Sequence, residues 1–465
     1  MMQRTRISRR ATVAAVALVA AALVPRLGAQ TRPLSPNDVV NAALAGDARV
    51  ESATWDWLAA QAKAKEAELR KLPSVSLSAG YTRLSDVKST ITLGPTSMVI
   101  DSLDNSFSLG VNLQYPVFAG FRLSESARLA GLQAQGKGIA AEMIKRSVVF
   151  EAQRAYWEAK RATLNVGMLR ENLALALQSQ DVVQKQFANG AAMQVDLLSA
   201  TVRVDQATMD LAAATNVQTR AFWALASLVE GSAARASAAD GPAADDPVAR
   251  YTLASPPQPV PDSRFPTLDE ARLIDLALAN RPETRAASLT TAAADLGRRI
   301  AEAPLYPTLS VTGSAVYADP NPRVAFQSDP NKFTGTWSLG ATLSYDLGGL
   351  PANLAARDAQ ADAVAKSRAD ERRQRDAVAL DLKGCLLAFL QTRSDYALIA
   401  GMIDQAKESE RVVEQRLAAG TASDLDRLSA RISRLKIEFS TANKLIDQQI
   451  AAADLERAAA LADVR

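Results

Sequence analysis

The sequence predicts a mixed α and β fold, internally duplicated and dominated by very long helices, and three observations carry that expectation. First, the chain nearly repeats itself. Val182 to Ala200 reads VVQKQFANGAAMQVDLLSA, and Val412 to Ala430, 230 residues on, reads VVEQRLAAGTASDLDRLSA; a repeat of this length fixes the architecture before any local reading. Second, each copy holds two short segments that alternate apolar and polar residues. Third, a nearly proline-free helical stretch follows each pair and ends at a glycine.

The elements follow in order. Residues 1–29 read as a signal peptide: Arg4, Arg6, Arg9 and Arg10 precede the apolar run Ala11 to Val24, which is shorter than the roughly 20 residues a spanning helix needs. A first repeat is expected over 30–231. It opens with a short helix near Ser35 to Gly46 and a second over Asp47 to Lys71. Strands are expected at about 74–83 and 106–116, then long helices over 120–188 and 193–228. A Pro/Ala/Asp-rich link, 232–265, lacks periodicity and reads as a segment wrapped around the helical belt. The second repeat, 266–465, has strands at about 308–317 and 336–346 and helices over 351–418 and 423–462.

In each strand one face carries Val, Leu, Ala and aromatics, and the other Ser, Thr, Asn, Gln and Gly. Such a two-residue period over about 9–11 residues suits transmembrane barrel strands, apolar towards lipid and polar towards a lumen. Tyr81, Phe107, Tyr115, Trp337 and Tyr345 sit at strand ends, where interfacial aromatics belong. A soluble sandwich would need more strands than these. Four strands cannot close a barrel, so closure is expected from several copies. The segments Leu84 to Asn105 and Asp319 to Lys332 would be the outer hairpin tips.

The first long helix would run about 100 Å at about 1.5 Å per residue. It carries a seam at Leu169, Leu173, Ala176, Gln180, Val183 and Phe187, matched by Ile399, Ile403, Ala406, Glu410, Val413 and Leu417. That seven-residue repeat marks left-handed coiled-coil packing. Gln180 and Glu410 interrupt it as solvated or register-setting positions. Gly190 and Gly420 would end the two long helices.

Composition excludes much else. There is no histidine and one cysteine, Cys385, so the commonest general base, a disulfide within the chain and a cysteine zinc site are all missing. Net charge is +3 without a basic run in the mature region; no nucleic-acid partner, cofactor or metal is expected, and no enzymatic activity.

The order of these features resembles the TolC-like outer-membrane efflux proteins. The resemblance rests on the short helix opening each copy, Pro73 and Pro307 opening each first strand, and the junction Tyr115-Pro116-Val117-Phe118-Ala119-Gly120. It rests also on the paired tips, Gly190 with Asp196-Leu197-Leu198-Ser199-Ala200 and Gly420 with Asp426-Arg427-Leu428-Ser429-Ala430. It implies a homotrimer with a twelve-strand barrel in outer-membrane lipid and a helical tunnel in the periplasm of a Gram-negative-type cell. The tips would meet a periplasmic adaptor fed by an inner-membrane pump. The function implied is an exit duct for small molecules or a polypeptide; a coiled-coil adaptor or structural envelope protein is the alternative. The resemblance also places Asp426 in an acidic ring at the tunnel entrance, with Asp196 its first-copy counterpart and Asp424 a neighbouring acid. The second ring acid and the tip arginine of the family are Ser429 and Ala422 here, a departure from charge-locked closure. Gly190, Gly420, Leu198, Leu428, Ser199 and Ser429 would form the helix-tip contact with the adaptor. The alternative role for Asp196 and Asp426 is that of first-turn acids favoured by the helix dipole.

Overall fold

The computed structural model of the chain describes residues 32–83, 85, 89–93, 96–100, 105–230, 247–265, 268–321, 323 and 332–461. The expected signal peptide lies outside these residues, as do parts of both hairpin tips and of the inter-repeat link. The described chain forms two compact units, each drawing on both halves of the sequence. The first comprises Met1–Asp47, Val149–Pro261 and Gln391–Ile450, and the second comprises Ala48–Val148, Asp262–Leu390 and Ala451–Arg465.

The elements run β1 (Arg32–Leu34), α1 (Pro36–Gly46), α2 (Ala48–Leu69), β2 (Ser74–Arg83), β3 (Ser89–Leu93), β4 (Thr96–Ile100) and β5 (Asn105–Ala119). Helices α3 (Arg122–Ala188) and α4 (Gln194–Val229) follow, then α5 (Pro247–Arg250), β6 (Tyr251–Leu253), α6 (Glu270–Asn280) and α7 (Pro282–Glu302). The chain continues through β7 (Thr308–Asp319), β8 (Thr334–Ser344), α8 (Leu350–Ala418) and α9 (Asp424–Ala458). The two longest helices, α3 and α8, have 67 and 69 residues. Among the described residues no helix is long and apolar enough to cross a membrane.

In the second unit β2, β5, β7 and β8 form one antiparallel sheet in the order β2-β5-β7-β8. Its register aligns like with like. Leu77 faces Val111, Val111 faces Ala315, and Ala315 faces Trp337, while Ser78 faces Gly110 and Ser314 faces Ser338. One face is therefore apolar across all four strands and largely exposed: Val75, Leu77, Leu109, Trp337, Leu339 and Leu343 are all exposed. The other is polar and uncharged.

β5 runs past Tyr115 to Ala119, beyond the expected end near residue 116, with a register shift between Pro116 and Phe118. Proline donates no backbone hydrogen bond, so the ladder steps around it as a bulge. Gly120 then turns the chain into α3 at a φ of 59°; a side chain there would collide with the Ala303 carbonyl, so only glycine fits.

Two regions depart from expectation. Part of the tip 84–105 is a second antiparallel ladder, with Ser89 opposite Ile100 and Leu93 opposite Thr96. Both strands are rich in β-branched residues, which suit a pleated strand despite the Ser and Asp nearby. Part of the link is also ordered by pairing: β6 lies parallel to β1, and Ala254 N–H donates to Leu34 O at 3.1 Å.

The interior of the second unit holds Val378, Leu382, Leu386 and Phe389 of α8 with Phe265, Leu273 and Leu455. Cys385 is buried here too, its thiol donating to Asp454 Oδ2 at 3.3 Å. Burial, together with the Asp454 charge, pushes that thiol up to about 12, so it is a packing residue with little thiolate at neutral pH.

Candidate functional site

The two helix tips belong to the first unit and are built alike. α3 ends with Gly190 at a φ of 75° and α8 with Gly420 at 72°. In each, a later N–H reaches back five residues, Ala191 to Gln186 O at 2.7 Å and Thr421 to Arg416 O at 2.8 Å. This closure satisfies the last-turn carbonyls and needs a left-handed residue, which glycine supplies. α4 and α9 then start four residues beyond each glycine.

The tip acids are tied to these helix starts. Asp196 accepts the Met193 N–H at 2.9 Å. Asp426 accepts both the N–H and the hydroxyl of Ser423, each at 2.8 Å, and its own N–H donates to Ser423 Oγ at 3.1 Å. That is a reciprocal capping box. The bonds from Ser423 hold the Asp426 carboxyl below the usual carboxylate range; the side chain is exposed and anionic at neutral pH. Asp424 pairs with Arg427 at 3.2 Å. Each tip thus carries a fixed negative charge, Asp196 on one and Asp426 on the other.

The remaining tip residues divide. Leu428 is buried, 4% exposed, in a cluster with Leu175 and Leu435 that Met168 and Ile432 complete. Leu198, 230 residues earlier, is 58% exposed. Ser199 and Ser429 are both exposed; the Ser429 carbonyl accepts the Ser433 hydroxyl at 3.0 Å.

Behind the tips, the polar seam residues bond across their hairpins. Gln180 of α3 donates to Thr201 of α4 at 3.0 Å, and Glu410 of α8 pairs with Arg434 of α9. Arg434 was not singled out by the sequence. Its signal is only that it faces a glutamate already known to break the seam. Arg161–Asp447 at 2.6 Å joins α3 to α9, and Lys444–Asp395 at 2.8 Å joins α9 to α8. In the first unit, then, the bonds run α4 to α3 to α9 to α8. The outer helices keep exposed apolar residues: Val195, Val202 and Met209 on α4, and Leu398, Met402 and Val412 on α8.

A sheet with one apolar and one polar face, joined to nearly proline-free helices that end in acidic tips, defines a class: membrane channels whose span is made of strands. The chain belongs to the outer membrane efflux protein family, whose profile matches residues 39–231 and 273–461. No curated protein sequence matches it. Among solved structures, the Campylobacter jejuni CmeC outer membrane channel is similar with a TM-score of 0.73, at 17% identity over 91% of this chain and 85% of that one. A membrane protein from Pseudomonas aeruginosa gives a TM-score of 0.71 at 21% identity, covering 91% and 93%. The open state of the Neisseria gonorrhoeae MtrE outer membrane channel gives 0.64 at 18% identity, covering 91% and 88%. At these identities the likeness shows a shared fold.

Proposed function

We propose that the protein is a passive exit duct of an outer membrane, serving either a tripartite efflux pump or a type I secretion system. Three copies close a twelve-strand barrel and a helical tunnel that projects into the periplasm. A periplasmic adaptor docks at the tips, around Gly190, Gly420, Leu198, Leu428, Ser199 and Ser429, and an inner-membrane pump supplies the cargo.

The observation that carries this reading is the four-stranded sheet with an exposed apolar face. Lipid accepts such a face but tolerates no open strand edge, because unpaired backbone groups there cannot find water. Among the described residues β2 and β8 each have a partner on one side only. The edges are different strands, so copies join head to tail and the ring closes by rotation. The unpartnered apolar residues of α4 and α8 fit the same rule. Tip acids Asp426, Asp196 and Asp424 give the tunnel entrance a cation-attracting rim. An adaptor has no use for an apolar sheet face of this extent.

The test is reconstitution. Detergent-solubilised protein should run as a trimer, and in planar bilayers it should form stable pores. A folded monomer that still conducts would defeat the closure argument. Loss of the protein in its host should raise accumulation of exported dyes or block release of a secreted polypeptide, and the outcome separates the two systems.

A further inference from the structure

The strand face assigned to the lumen bears no fixed charge. The only charged residues within β2, β5, β7 and β8 are Arg83 and Asp319, at strand ends and in register with Asn105 and Phe107 on the apolar-face alternation. Among the described residues, one cation is hydrogen-bonded to that neutral face. After β7, Asn321 is almost wholly buried. Its amide donates to Thr334 O at 2.8 Å and Thr336 Oγ1 at 3.2 Å, and its Oδ1 accepts the Arg323 N–H at 3.0 Å. Thr336 lies on the polar face, so Asn321 folds the start of the connection inward. The Arg323 guanidinium follows, donating to Ser338 Oγ at 3.2 Å and the Trp337 carbonyl at 3.5 Å. Ser338 is itself bonded to Ser314 at 2.8 Å on the same face. Among the described residues no carboxylate pairs with Arg323.

We infer that Arg323 forms a cationic collar inside the outer mouth of the duct, one guanidinium per copy, which draws the carboxylate or phosphate groups of departing solutes. This rests on the duct reading, which puts the polar face around a lumen. Guanidinium suits the role because it stays charged and grips planar oxyanions with two parallel donors. In a wall without other charge, a ring of like charges dominates the local potential and biases which ions pass. The collar stands at the end of the sheet away from the helices, opposite in sign to the tip acids.

The experiment is the reversal potential of single channels in a salt gradient, for wild type, Arg323→Gln, Arg323→Lys and Arg323→Glu. Neutralising the collar should move the anion-to-cation permeability ratio about twofold towards cations at 0.1 M salt. The shift should grow at 0.01 M, where the screening length rises from about 10 to about 30 Å. Arg323→Glu should go further, and Arg323→Lys should stay near wild type. Inorganic phosphate on the outer side should reduce wild-type conductance and leave Arg323→Gln unaffected. Open channels with equal permeability ratios in all four proteins at both salts would overturn the collar; wild type that forms no channel would instead count against the duct. Should Arg323→Gln fail to assemble, the Arg323→Lys protein and the salt series carry the test. Selectivity that shifts with Arg323→Lys, or a wild-type ratio independent of salt, also overturns it.

Discussion

The first helical hairpin, α3 with α4, and the second, α8 with α9, share a tip sequence and a tip conformation, yet they use the same positions differently. Leu198 and Leu428 sit in the same Leu-Ser-Ala triplet, but one is exposed and the other buried against Leu175 and Leu435. α9 is bonded to α3 on one side and to α8 on the other, whereas among the described residues α4 is bonded to one of the other three long helices, α3. Position in the bundle, and not residue type, decides which leucine is covered. The polar breaks in the two seams diverge as well, a neutral amide–hydroxyl bond at Gln180 and an ion pair at Glu410. α4 also buries Ala200, Ala207 and Ala214, a seven-residue series of small side chains, where α9 has Ala430, Ile437 and Lys444. Two hairpins with one tip pattern thus bury small side chains in one case and bond by charge in the other.

The sharpest way to break this comparison is to shave each leucine. Leu428→Ala opens a cavity beneath Leu175 and should cost about 3 kcal/mol of local stability. Leu198→Ala removes little that is buried within one copy and should cost under about 0.5 kcal/mol. Hydrogen exchange over the first turns of α9 and α4 reads both. Equal losses would mean that another copy covers α4 as fully as α3 and α8 cover α9.

A smaller effect separates the seam pairs. Arg434 is three-quarters buried and serves both Glu410 and Glu438, so Arg434→Ala should cost about 1–2 kcal/mol, less than a fully buried pair. Gln180→Ala should cost about 1 kcal/mol or less, because Thr201 keeps its bond to the Leu197 carbonyl. Raising salt should shrink the Arg434 effect and leave the Gln180 effect unchanged. Matching salt responses would show that the two hairpins are held in the same way.

How much of this the sequence revealed follows from the range of each signal. Strand alternation and the nearly proline-free helices are local, so the mixed fold and the matching family could be read from one chain. The seam at Ile399, Ile403, Ala406, Glu410, Val413 and Leu417 is the half-buried stripe of lower α8, because a heptad writes its contact face directly into spacing. Gly190 and Gly420 were visible because a left-handed turn demands glycine. The fates of Leu198 and Leu428 were not, since identical triplets cannot say which neighbour arrives. Arg434 and the inward fold of Asn321 and Arg323 depend on partners beyond the local pattern, on the neighbouring strand or helix. The β3–β4 ladder hid in polar composition.

The smallest expected effect concerns the tip acids, where a helix-start role and an entrance role meet in one carboxylate. Asp426 is bonded twice by Ser423, and this depresses its folded pKa. A depressed carboxylate adds stability that is fully present above the unfolded value of about 3.9 and is lost as pH falls through the folded pKa. The second tip should therefore loosen only below about pH 4. A spin label at Thr421→Cys reports this, since the native Cys385 is buried and poor in thiolate. Label mobility should rise on acidification in wild type and change little in Asp426→Asn, whose amide oxygen still accepts from Ser423 but does not titrate in this range. The same variant should weaken cation preference at neutral pH, and Asp196→Asn should do less, because Asp196 accepts a single backbone bond and is held less firmly. If Asp426→Asn flattens the acid response yet leaves selectivity untouched, the carboxylate acts on the helix alone. If the acid response survives in Asp426→Asn, Asp426 is not its source, and the second tip is held by the Asp424–Arg427 pair or by the Leu428 cluster beneath it.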